Sequence, residues 1–240
     1  MVAPSKFLLS IEFIRAVYEY GLGNLLSVPI KYISPKGDGH PVIVLPGLGT
    51  ADGSTYFIRN FLTEMGYDVR PWGLGRNLGP TGGIESMTTR LTNLVHNVSK
   101  SSGDQQVSII GWSLGGIYAR EVAKLRPSIV RQVITLGTPF KGGVGTNVDF
   151  LYELLSKDMS HKDPNILKKI AIPPPVPFTS IYSKTDGVVH WESSVENAGH
   201  QIENIEIPGA CHLGLGHNPI SMYILANRLS QTRETWSPYR

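Results

Sequence analysis

Apolar residues fall along this chain in short runs, separated by longer stretches with helical spacing. Six runs have the length and composition of strands: Pro41–Leu45, Tyr67–Trp72, Gln106–Ile110, Gln132–Leu136, Phe178–Tyr182 and Ile202–Ile207. Segments such as "PVIVLPG" are apolar at consecutive positions, as in a strand buried on both faces. Between most of the runs, Ser54–Met65, Ile84–Ser99, Leu114–Leu125 and Pro219–Leu229 read as helices. Asn218 before Pro219 is a cap followed by a residue that needs no N–H donor, a favourable helix start. Strand and helix in alternation predict a mostly parallel sheet of about six strands with helices on both faces.

Two segments depart from that rhythm. Near the N-terminus, apolar residues at 7, 11, 14 and 18 share one helical face. The pattern predicts a terminal helix packed on the domain by that face. A helix lying on a membrane surface or held by a partner is the less favoured alternative. Later, 46 residues separate the starts of the fourth and fifth runs, at 132 and 178. That stretch has room for two helices, Asn147–Lys157 and Pro164–Ile170, before the stiff "PPPVP" segment returns the chain to the sheet. It reads as an insertion over the carboxyl edge of the sheet, a cap or lid within residues 140–177, rather than as a second domain.

Composition narrows the class. A chain of 240 residues suits one domain with a substantial core. A net charge of +3 with no basic cluster argues against nucleic acid as a partner. A single cysteine, Cys211, rules out an intramolecular disulfide; it reads as a small buried apolar residue. Glu12 and Arg15 interrupt the only leader-like stretch, so no signal peptide is expected and the cytoplasm is the expected compartment. No run approaches the ~18 apolar residues of a membrane-spanning helix.

The chemistry centres on "SIIGWSLGGIYAR", residues 108–120. The bare pattern G-x-S-x-G is weak, because glycine and serine are common here. Its context is informative: an apolar strand leads into it and a helix follows. A sharp strand–turn–helix would lift Ser113 above the sheet edge, where it can act as a nucleophile. The first N–H groups of the helix lack internal partners and carry partial positive charge. Leu114 N–H is therefore a candidate oxyanion donor. The loop "LPGLGTADGS" after the first strand offers a second, Leu48 N–H, with Gly47 and Gly49 allowing close approach.

Serine needs a base. The histidines downstream are His161, His190, His200, His212 and His217. His212 is favoured because it follows a late strand and precedes the last helix, whereas His217 sits near a helix cap. The base in turn needs an acceptor for its second nitrogen. Glu121, Asp149, Glu153, Asp158, Asp163, Asp186 and Glu192 lie between serine and base, and only Asp186 directly follows a strand, with Gly187 permitting a turn.

The motif Gly111-Trp112-Ser113-Leu114-Gly115, with Asp186 and His212 following in that order, resembles the α/β-hydrolase superfamily. "LPGLGT" is similar to the oxyanion loop of bacterial lipases and esterases, "TLGTPFKGG" to their "GTP" segment, and "CHLGL" to the surroundings of their catalytic histidine. The likeness covers residues 41 to 230. It implies a serine hydrolase of the lipase and esterase kind with Ser113, Asp186 and His212 as catalytic residues and Leu48 and Leu114 as oxyanion donors. Pro46 and Trp112 stand where many such proteins have histidine, and the two leading antiparallel strands are missing. Residues 24–35 are a candidate edge strand weakened by Pro29.

The expected function is hydrolysis of a small-molecule carboxylic ester, lipid esters included, through an acyl-enzyme. Rivals are a thioesterase, acyltransferase or amidase using the same residues, and a hydrolase-fold binding protein without turnover. No metal or cofactor is expected, since neither metal-ligand spacing nor a phosphate-binding fingerprint occurs. Phe150, Leu151, Leu154 and Leu155 of the insertion are candidates for lining an acyl pocket, with at least half of them expected to pack on the sheet.

Overall fold

A computed structural model of the protein describes residues 3–80, 82–141 and 164–239. Six parallel strands form one sheet: β1 (Pro41–Leu45), β2 (Asp68–Pro71), β3 (Val107–Trp112), β4 (Val130–Leu136), β5 (Phe178–Tyr182) and β6 (Ile202–Glu206). Their spatial order is β2-β1-β3-β4-β5-β6. The chain thus steps outward from β1 to β2, returns to the other side of β1 as β3, and continues one way to β6. The direction reverses between β1 and β3, and open parallel sheets bind ligands outside the carboxyl ends of the strands at that reversal.

Six helices are described: α1 (Lys6–Ile33), α2 (Tyr56–Glu64), α3 (Ile84–Ser101), α4 (Leu114–Leu125), α5 (Pro164–Ala171) and α6 (Pro219–Leu229). Strand side chains alternate between the two faces, so each face needs its own cover. Val42, Val44, Ile110, Ile134 and Leu136 pack with Ile58, Phe61 and Leu62 of α2 and Met222 and Leu225 of α6. Ile43, Leu45, Ile109 and Val133 pack with Leu91 and Val95 of α3, Tyr118 and Val122 of α4 and Ile170 of α5. This double cover explains why β1 reads as a continuous apolar run and why β3 and β4 carry apolar residues on both faces.

Burial is nearly complete in the central four strands and not in the outer two. β2 carries Asp68 and Arg70, which pair with each other and are partly exposed, and β6 is half-buried along most of its length. These are the two edges of the sheet, each with a neighbour on one side only. Pro71, which has no N–H to donate, suits that position.

α1 brings the largest correction. Residues 24–33 continue the helix and form no edge strand; Pro29 lies inside the helix. The apolar stripe predicted to face the domain largely points away from it. Phe7, Ile14 and Tyr18 are exposed, as are Phe13, Val17, Leu25 and Val28, and only Ile11 of the predicted stripe is half-buried. The buried positions of α1 are Glu12, Glu19 and Gly23. Hydrophobic spacing is misleading here because the helix is fastened by hydrogen bonds from loop N–H groups to its carboxylates.

α5 occupies the second helical stretch of the 140–177 insertion, one residue longer than expected. The Asn147–Lys157 helix and Phe150, Leu151, Leu154 and Leu155 lie outside the described residues.

Candidate active site

Ser113 has φ 52° and ψ −122°, a conformation that costs a non-glycine residue about 1–3 kcal/mol. Three hydrogen bonds hold it there. Ser113 N–H donates to Leu136 O at 2.8 Å, and Ser113 O accepts from Gly116 N–H at 2.9 Å and from Thr138 Oγ1 at 2.9 Å. The three glycines around the serine carry no positive φ. Their role is clearance: a Cβ would lie 2.3 Å from Gly116 Cα at Gly111, 2.5 Å from Leu45 O at Gly115 and 2.0 Å from Thr138 Oγ1 at Gly116. The helix can therefore start directly against the strands, and the strain falls on the serine.

The loop after β1 closes over this turn. A Cβ on Gly47 would be 3.3 Å from Ser113 Cβ, so the backbone at 47 borders the hydroxyl directly. Gly49 takes φ 75°. Leu114 opens α4, so its N–H has no partner within the helix. Among the described residues, no protein acceptor is bonded to Leu48 N–H. Both N–H groups proposed from sequence thus have donor capacity available, Leu114 directly after Ser113 and Leu48 directly after Gly47, which borders it.

Asn77, which sequence reasoning passed over, braces that loop. It is fully buried. Its N–H donates to Thr50 O at 2.7 Å, its Nδ2 to Pro46 O at 2.9 Å, and its carbonyl accepts from Gly49 N–H at 2.7 Å. Asn77→Ala should lower the catalytic rate about 10²-fold, because slight misplacement of a donor near the reacting atoms has that size of effect. Near-wild-type turnover in a folded variant would show that the loop holds its shape unaided.

His212 and Asp186 come together from the loops after β6 and β5. His212 Nδ1 lies 2.6 Å from Asp186 Oδ2, and both residues are 4% exposed. The other carboxylate oxygen of Asp186 accepts N–H bonds from Val188 at 2.8 Å and Val189 at 2.7 Å, which fixes its orientation. The imidazole rests on Gly137, where a Cβ would sit 2.9 Å from Nδ1. Gly137 directly follows Leu136, the residue that accepts the Ser113 N–H. Trp112 Nε1 also donates to His212 O at 3.2 Å, tying the histidine loop to the residue before the serine. Burial, the largest influence on the His212 ring, pushes its pKa down. The charge and hydrogen bond of Asp186, with the charge of Glu12, outweigh it and hold the pKa above the ordinary 6.5.

The other candidates are placed elsewhere. His217 packs among Tyr20, Phe57 and Trp112, and burial lowers its pKa. His190 lies near Glu192 and stacks on Trp191, and His200 is exposed. Glu121 pairs with Lys124. His161, Asp149, Glu153, Asp158 and Asp163 are outside the described residues. Cys211 is fully buried, and burial together with Glu19 and Glu12 pushes its thiol pKa far up, which suits a packing residue. Gly187 does not have a positive φ; its bare Cα instead admits the backbone of α1, where a Cβ would lie 2.6 Å from Leu8 C. Among the described residues, no group of three His, Cys, Asp or Glu side chains could hold a metal ion, and no helix is long and apolar enough to cross a membrane.

A second serine–histidine–aspartate chain lies at the opposite edge of the sheet. His40 Nε2 is 2.7 Å from Ser108 Oγ, and His40 Nδ1 bonds Asp38. Ser108 is a completely buried residue within β3, with no helix N-terminus beside it and no access for a substrate. There the same three residue types satisfy one another, with Arg131 taking the other oxygen of Asp38. The turn geometry and free donors at Ser113 distinguish the two sets.

Residues 76–168, under half of the chain, match the family model described as "Putative serine esterase (DUF676)". A triacylglycerol lipase of Pseudarthrobacter phenanthrenivorans is 32% identical over 128 residues, a match covering 50% of this chain and 38% of that protein. The match spans well under half the length of the curated lipases it relates to. Among solved structures, Aspergillus fumigatus lipase B superposes with a TM-score of 0.64 at 19% identity, covering 83% of this chain and 55% of that one. Bacillus licheniformis lipase BlEst2 superposes with a TM-score of 0.62 at 14% identity, covering 83% and 95%. The chain has the α/β-hydrolase fold, with six parallel strands among the described residues.

Proposed function

We propose that this chain hydrolyses carboxylic esters through an acyl-enzyme on Ser113. The observation that supports this best is the buried 2.6 Å Asp186–His212 pair, docked through Trp112 and Gly137 beside a serine held at φ 52°. Ser113 Oγ attacks the acyl carbonyl while His212 Nε2 takes its proton. The oxyanion forms between Leu114 N–H and Leu48 N–H. His212, now cationic and stabilised by Asp186, protonates the departing alcohol. Water then enters, gives its proton to His212, and releases the acid. The relatives named as triacylglycerol lipases and the serine-esterase family model favour an ester over a thioester or amide, with lipid esters among the substrates. The 140–177 insertion would supply the acyl pocket or a lid.

The experiment is labelling with a fluorophosphonate, followed by peptide mapping. The adduct should fall on Ser113 and nowhere else. Absence of an adduct, or labelling at another serine, would sink the reading. Hydrolysis of p-nitrophenyl esters of increasing chain length then measures the pocket.

The His212 pKa also sets a pH dependence. The base must be neutral to accept a proton, and its protonated form is stabilised here, so activity is lost as pH falls through a value above 6.5. The acid limb of kcat/KM should therefore have its midpoint on the alkaline side of an ordinary histidine. A profile flat from pH 5 to 8 would contradict the assignment of the base.

A further inference from the structure

α1 approaches the site from behind, and its two buried carboxylates are aimed at the loops that carry Asp186 and His212. Glu12 Oε1 accepts from Gly187 N–H at 2.6 Å and from His212 N–H at 3.3 Å, and Oε2 accepts from Leu213 N–H at 3.3 Å. Two turns further on, Glu19 accepts from Cys211 N–H and from Asn218 Nδ2, each at 2.7 Å. Arg15, between them, donates to Thr185 O at 2.8 Å and Gly209 O at 2.9 Å, one residue from Asp186 and three from His212. The loops have no room for side chains there: a Cβ at Gly214 would lie 2.4 Å from Glu19 Cδ. Among the described residues, α1 thus ties both loops together by hydrogen bonds to charged side chains, which are stronger than bonds between neutral groups.

We infer that Glu12 is a positioning residue for His212: it joins the base loop to the acid loop and sets a second carboxylate on the His212 backbone N–H, on the loop whose imidazole Asp186 holds. The charged and titratable groups around the ring are Asp186 from the loop after β5, Glu12, Arg15 and Glu19 from α1, and Cys211 and His217 from its own loop. Arg15 lies 3.9 Å from Glu12 Oε1 and is itself spread over two carbonyls, so it offsets the Glu12 charge only in part. Glu12 raises the affinity of His212 for a proton, whereas Glu19 serves the neighbouring backbone and the Asn218 cap of α6. In turnover the same charge would stabilise the imidazolium formed as the serine loses its proton.

The inference rests on the ester-hydrolase reading for its effect on rate, and its test separates the two. The His212 ring is titrated by NMR with ¹³C-labelled histidine in the full chain, which requires no turnover. Glu12→Gln keeps the side-chain length and an acceptor oxygen but removes the charge. It should lower the His212 pKa by about 0.5–1 unit and move the acid limb of kcat/KM down by the same amount, with kcat reduced up to about tenfold. Glu19→Gln should leave both where they are. If the Arg15 charge left behind unfolds the single variant, Glu12→Gln with Arg15→Gln replaces it, with a smaller shift in the same direction. A His212 titration in Glu12→Gln that coincides with wild type, or one moved equally by Glu19→Gln, overturns the inference. A shifted His212 in a protein with no Ser113-dependent hydrolysis would leave the inference about Glu12 standing and remove the ester reading.

Discussion

Ser113→Ala is expected to lower ester hydrolysis by about 10⁵–10⁶-fold and to abolish fluorophosphonate labelling. Among the described residues, no other nucleophile is placed to take over: the only thiol, Cys211, is buried and its pKa is pushed up, and Ser108 of the Ser108–His40–Asp38 chain is inaccessible. The rate left over would come from Leu48 and Leu114 N–H groups polarising the carbonyl toward water, worth roughly 10³–10⁴ over the uncatalysed reaction. Alanine should not relieve the turn, because the strain of φ 52° belongs to any residue with a Cβ. Thermal unfolding of Ser113→Ala should therefore match wild type, whereas Ser113→Gly should be more stable by about 1 kcal/mol and equally inactive. More than a hundredth of wild-type activity in Ser113→Ala would exclude the serine as nucleophile. A Ser113→Gly variant no more stable than wild type would mean the turn is not strained.

Asp186→Asn is expected to reduce kcat about 10⁴-fold with little change in fold, for a reason that follows from the hydrogen bonds. Oδ1 accepts from Val188 and Val189 N–H, while Oδ2 faces His212 Nδ1. An asparagine keeps its carbonyl oxygen on the two backbone donors, so its NH₂ must point at the ring. A donor facing Nδ1 forces the proton onto Nε2, the nitrogen that has to receive the serine proton. The variant also loses the charge that stabilises the imidazolium. Labelling by the fluorophosphonate should slow in parallel with hydrolysis. Near-normal rates in Asp186→Asn would show that another carboxylate orients the base, and Glu12 of α1, bonded to the His212 N–H, is then the alternative.

The fold was legible in the sequence because a doubly covered parallel sheet writes itself as local pattern. Pro41–Leu45, Leu114–Leu125, Phe178–Tyr182 and Pro219–Leu229 agree with the structure to the residue, since runs buried on both faces and capped amphipathic helices are determined by their own composition. Ser113, Asp186 and His212 were legible for a related reason. Ser113 directly follows β3, and Asp186 and His212 lie in the loops after β5 and β6; in a parallel sheet all strands end at the same edge. Topology alone therefore predicts that they share that edge, and the 2.6 Å Asp186–His212 pair agrees with it.

What the pattern could not convey depends on contacts distant along the chain. Asn77 looks like a loop asparagine, and only the folded chain shows its side chain and backbone bridging Pro46 to Thr50. α1 is the clearest case. Hydrophobic period assigned its inner face to residues 7, 11, 14 and 18, yet Glu12 and Glu19 are buried because loop N–H groups some 175 to 201 residues away need acceptors. The spacing of those two carboxylates, seven residues and so one helical face, was the only signal available. Sequence alone therefore determined the sheet, most of its helices and the edge that carries the proposed reactive groups, because burial patterns are local. Tertiary structure decided what holds those groups in place, because the partner of a buried backbone N–H can come from anywhere in the chain.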